Sequence, residues 1–157
     1  LGFDGAGNVS FLSESGSGRG LLAATEPMVA LRDRNGRTSV PARASVGTER
    51  LAYMFPGGDE LELSVEAFHG GWTFTVTKAA LRGVGVLELA RLAPVCTKYR
   101  GEYVNGLSDD ESAVVLRAYD VETRMRVSES EVWLEMDAAE NLVGRRFGLA
   151  AGARGRR

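Results

Sequence analysis

Polar and apolar residues alternate with a period of two over much of this chain. In "ELELSVEAF" the residues Leu61, Leu63, Val65 and Ala67 fall on one side, and Glu60, Glu62, Ser64 and Glu66 on the other. "WTFTVTKA" sets Trp72, Phe74 and Val76 against Thr73, Thr75 and Thr77. Such alternation describes strands with one buried and one wet face, the signature of antiparallel sheet. Valine and threonine also suit a pleated surface. The same test marks "NVSFL", "GLLAA", "PMVALRD", "RTSVPARA", "ERLAYMF", "SAVVLRAYDV", "TRMRVS" and "EVWLEMD" as strands. "VGVLELARLAPV" reads as a longer one, bent by its glycines or ended by Pro94, and "LVGRRFGLAAG" as a weaker last one.

Turn formers punctuate these runs. Asn35-Gly36 is a hairpin signal, and "PGGD" at 56–59 is another turn cluster. About ten short strands at this spacing predict an all-β, antiparallel two-sheet β-sandwich. No stretch has the period of an amphipathic helix. Residues 1–150 read as a single β-sandwich domain, and 151–157 as a flexible basic tail or truncated end. A chain of 157 residues suits one domain with a real core.

A hydrophobic content of 44% with 25% charged residues is that of an ordinary globular protein. The formal net charge of -2 argues against a nucleic-acid partner. No apolar run approaches membrane length, so no membrane partner is expected. The single cysteine, Cys96, excludes an intramolecular disulfide and a cysteine-rich metal site. The start at Leu1 and the abrupt end suggest a piece of a longer polypeptide.

Candidate chemistry is sparse. The only histidine, His69, stands in "EAFHGGWTF". If Gly70 and Gly71 form the centre of a type I′ turn, His69 faces Trp72, Ala67 faces Phe74, and Val65 faces Val76. The pair then closes the core edge, or forms a rim where indole stacks on a sugar and imidazole bonds a hydroxyl. Tyr103, in "CTKYRGEYVNG", and Trp133, pointing away from Val132, Leu134 and Met136, are further aromatic candidates for carbohydrate contact. Asp109, Asp110 and Glu111 read as a solvated acidic loop. One histidine leaves little room for a catalytic triad, no nucleotide-binding loop is present, and no metal or cofactor is expected.

The order of small motifs adds a direction. "FDGAGNVSFLSESGSGRGLLA", "PMVALRDRNGR", "LAYMFPGGDELELSVEAFHGGWTFTV" and "GEYVNGLSDDESAVVLRAYDVETRMRV" together resemble the galactose-mutarotase-like supersandwich domains placed ahead of the catalytic domain in bacterial glycoside hydrolases. The resemblance implies a non-catalytic accessory domain, with the catalytic domain of the same polypeptide as partner and a secreted or periplasmic location. It carries over no catalytic residue. The two-histidine pattern of mutarotases is absent, which speaks against that activity. Two alternatives stand beside it: a carbohydrate-binding module built on His69, Trp72, Tyr103 or Trp133, and a sugar epimerase or lyase.

Overall fold

The computed structural model describes residues 1–13, 20–68, 71–94, 99–100, 103–105, 112–120, 122–128, 130–139 and 141–153. In chain order the strands are β1 (Gly2–Phe3), β2 (Val9–Phe11), β3 (Leu22–Ala24), β4 (Val29–Asp33), β5 (Thr38–Ser39), β6 (Arg43–Val46), β7 (Arg50–Met54) and β8 (Glu60–Phe68). They continue as β9 (Gly71–Ala80), β10 (Val84–Pro94), β11 (Tyr99–Arg100), β12 (Tyr103–Asn105), β13 (Ser112–Ala118), β14 (Arg124–Val127), β15 (Val132–Asp137) and β16 (Arg146–Ala153). No helix occurs among the described residues.

Two antiparallel sheets form the sandwich. One has eight strands in the order β11-β12-β13-β16-β9-β8-β7-β6. The other has six, in the order β14-β15-β10-β4-β5, with β3 paired to the far end of β10. β1 and β2 make a small separate ribbon. The alternating residues meet between the sheets: Leu51, Leu61, Leu63, Phe74, Val76, Phe147 and Leu149 from one, Val29, Leu31, Leu87, Leu89, Val132 and Leu134 from the other. All are buried. Phe74 and Phe147, opposite each other on neighbouring strands, stack at 4.9 Å. Removing these side chains from water supplies the main drive for folding.

Several expectations are corrected in detail. "RTSVPARA" is two strands, not one: β5 ends at Ser39 in the six-stranded sheet and β6 begins at Arg43 in the other. Pro41 between them has no N–H for a ladder, so the chain changes sheets there. The "RNGR" turn does form a hairpin, with only Gly36 in the left-handed region, at φ 82°. Arg37 O accepts from Asp33 N and Asp33 O from Gly36 N, giving a longer turn than two-residue pairing. "LVGRRFGLAAG" yields β16, a central strand whose pairing runs to Ala153, opposite Ser112 and inside the segment read as tail. The very short β1, β11 and β12 lack enough residues for a period to show.

The opening loop has its own clasp. Asp4 Oδ1 accepts from Ala6 N and Asn8 N, and Asn8 Oδ1 accepts from Met28 N, all at 2.9 Å. Tyr53, buried in the core, donates its hydroxyl to Gly7 O at 2.5 Å. Gly7 is required: at φ 76° a Cβ would lie 2.5 Å from the Tyr53 ring.

Candidate functional site

The hairpin register differs from expectation. Ala67 faces Trp72, Val65 faces Phe74, and Phe68 is opposite Gly71. The pairing has slid by two residues, so every side chain keeps its face. His69 lies outside the described residues. Trp72 is partly buried and packs against the core beside Leu149 on β16. The irregularity falls lower, between Glu62 and Leu63, where the β9 strand gains a residue. Tyr103 stands in β12, its backbone opposite Val115 and Arg100. Asp109, Asp110, Glu111 and Cys96 also lie outside the described residues. The structure does not bring the aromatic candidates into one cluster among the described residues.

Trp133 has different surroundings. Val132, Leu134 and Met136 are buried in the core. Trp133 and Glu135 therefore occupy the outer face of the six-stranded sheet. Glu88 of β10 lies directly opposite Glu135. Both are outward yet nearly inaccessible, at 6% and 4% exposure. Two facing carboxylates destabilise a sheet unless a cation joins them. Arg32 of β4 joins them: its Nη1 lies 3.0 Å from Glu88 Oε2 and 3.3 Å from Glu135 Oε2.

The lattice extends on both sides. Towards β10, Arg91 Nη2 donates to Glu88 Oε1 at 2.6 Å, and its Nη1 to Glu131 Oε1 at 3.3 Å. The same guanidinium stacks over the Trp133 ring at 4.0 Å. Towards β14, Arg126 Nε donates to Glu135 Oε1 at 3.2 Å, and Arg124 approaches that oxygen at 3.9 Å. Trp133 Nε1 donates to Glu135 Oε2 at 3.0 Å. Burial pushes the Glu135 carboxyl up, but the hydrogen bonds of Trp133, Arg126 and Arg32 and the charge of Arg32 outweigh it and hold it below its ordinary value. Glu26 at the rim goes the other way: burial, then the charge and hydrogen bond of Glu131, raise it.

A backbone departure makes this arrangement possible. Strand residues 88 and 91 ordinarily point to opposite faces. The ladder between β10 and β15 shifts between Leu89 and Leu92, and Ala90 adopts φ 54°. It is the only non-glycine with positive φ among the described residues. Ala90 N donates to Met28 O at 2.8 Å, so the departure is anchored. The bulge turns Arg91 to the face of Glu88 and keeps Leu89 and Leu92 in the core.

The other sheet bears a shallow, open depression of about 320 Å³ near its β6 edge, lined by Arg43, Ser45, Met54, Glu60 and Glu62. Its carboxylates are engaged: Lys78 bonds Glu60 at 2.7 Å and Arg50 bonds Glu62. No group of histidine, cysteine and carboxylate side chains able to hold a metal occurs among the described residues.

Sequence reading found Trp133 but missed Arg32, Glu88, Arg91, Arg126 and Glu135 as its companions. Fold and site together define an antiparallel β-sandwich with a polar, cross-braced outer sheet face. Comparison with protein families, with curated proteins and with solved structures gives no match.

Proposed function

We propose that this chain is a non-catalytic accessory β-sandwich domain of a carbohydrate-active enzyme, one that packs on a catalytic domain and shapes a wall of its cleft. The observation that supports it best is the state of the carboxylates beside Trp133. Glu88 and Glu135 are tied to arginines, and Glu135 is held towards the ionised form. A general acid needs a proton to give and a reachable substrate. Groups this enclosed brace a rigid face and present donors from it; they do not shuttle protons. The sugar connection itself comes from the resemblance of the strand motifs. The reading frame of the parent polypeptide tests the proposal: a neighbouring domain of catalytic size is expected, and a frame with none overturns it.

A second reading, a carbohydrate-binding module, is favoured by one feature. Trp133 is half-buried on a sheet face, with its indole N–H already fixed by Glu135. An aromatic ring fixed in this way suits stacking on a pyranose. Arg91 already covers one side of the ring, so a sugar has only the remaining exposed part.

A further inference from the structure

We propose that the outer face formed by β14, β15 and the Arg91 end of β10 binds an anionic saccharide, a pyranose chain bearing carboxylates, with Trp133 against a sugar ring and Arg124 and Arg126 on a carboxylate. The inference rests on the sugar-associated reading above and names the class of sugar.

Charge is distributed unevenly over this face. Four guanidiniums, of Arg32, Arg91, Arg124 and Arg126, meet three carboxylates, of Glu88, Glu131 and Glu135. At the β10 end Arg91 alone serves Glu88 and Glu131, with Glu26 beside Glu131. At the β14 end three arginines converge on Glu135. The positive surplus therefore sits at the β14 end. It is also accessible there: the Arg124 and Arg126 side chains are 48% and 51% exposed.

Donors remain at that end. A guanidinium carries five N–H groups in a planar fork that matches a carboxylate with two parallel bonds. Arg126 gives Glu135 only its Nε. Arg124, at 3.9 Å, is an ion-pair neighbour of Glu135 outside hydrogen-bond reach. The Trp133 ring lies next to them, since Arg126 is its direct partner across the ladder. A neutral sugar leaves the surplus uncompensated, whereas a uronate answers both the ring and the charge. Nucleic acid fits less well. Its continuous line of phosphates, which dominates such binding, meets Glu88, Glu131 and Glu26 on leaving the β14 end.

Calorimetric titration of the chain tests this with three probes of matched length: oligogalacturonate, a neutral cello-oligosaccharide and a single-stranded oligonucleotide. Oligogalacturonate is expected to bind, more weakly as salt rises, with a change in Trp133 fluorescence read in a Trp72→Phe background. Arg124→Gln, at an exposed position, and Arg126→Gln are each expected to weaken it by at least about tenfold with circular dichroism unchanged. Equal binding of the neutral oligosaccharide, indifferent to both variants, overturns the anionic class and leaves the sugar-associated reading standing. Oligonucleotide binding as tight as the uronate overturns the sugar in favour of a general polyanion. Absence of binding by all three overturns the inference, while the accessory-domain reading is decided separately by the parent reading frame.

Discussion

Arg32 bears an unusual share of the energetics for one side chain. It is the only described contact that joins Glu88 to Glu135, which face each other with almost no access to water. Truncating it leaves two buried carboxylates abutting, so Arg32→Ala is expected to destabilise the fold by about 3–5 kcal/mol in urea titrations. Adding Glu88→Gln is expected to return more than half of that loss, because the repulsion goes with the charge; a loss in Arg32→Ala below about 1 kcal/mol contradicts the bridge. Acid acts on the same cluster. Glu135 has a folded-state pKa below its ordinary 4.5, and the exposed Glu60 and Glu122 are lowered too, by Lys78 for the first and by backbone and Arg145 hydrogen bonds for the second. A depressed carboxyl stabilises the fold fully above its unfolded pKa and loses that contribution as pH falls through the folded one. Glu26, raised, contributes in the opposite sense, its share fading as pH rises through its folded value. Three lowered groups against one raised group predict a falling unfolding midpoint between about pH 5 and about pH 3, and Glu135→Gln is expected to flatten the fall. Alternation alone put Trp133 and Glu135 outward, and that much was legible in the sequence. Their partners were not, because Arg32, Glu88 and Arg126 come from three other strands and only inter-strand register makes them neighbours.

At the scale of single elements, β10 shows what periodicity conveys and what it hides. Its long apolar run, its end at Pro94 and an irregularity at Gly85 agree with a strand bent by glycine and ended by proline. The decisive bend, at Ala90, carries no glycine to announce it. An alanine in the left-handed region costs about 1–2 kcal/mol, and its buried methyl recovers about 0.8 kcal/mol. Ala90→Gly is therefore expected to leave stability within about 1 kcal/mol of wild type with the Trp133 emission unchanged. Ala90→Val, β-branched at positive φ, is expected to cost at least about 2 kcal/mol and to shift that emission as Arg91 moves. A valine variant as stable as wild type, with the same spectrum, contradicts the bulge. The hairpin of β8 and β9 is the complementary case. A Gly-Gly pair indicated a turn, but a two-residue slide preserves both faces, so alternation could not choose between registers.

For the whole molecule, strand alternation sufficed to specify two sheets and a shared core, because antiparallel sandwiches bury one face of each strand. It could not apportion strands between sheets; β5 and β6 part company at Pro41, and β16 proves central. The result is a body whose inner faces are apolar and whose six-stranded sheet carries outside it a second, polar layer of interlocked side chains. If the domain meets its neighbour and its sugar through that layer, the layer is covered in the parent polypeptide and open in the isolated chain. Hydrogen exchange, compared between the two forms, tests this most directly. Slower exchange is expected in the parent along β10, β14 and β15 and at the Trp133 indole, with β6, β7 and β8 unchanged. Identical exchange along β10, β14 and β15 in the two forms would contradict a docking role for this face.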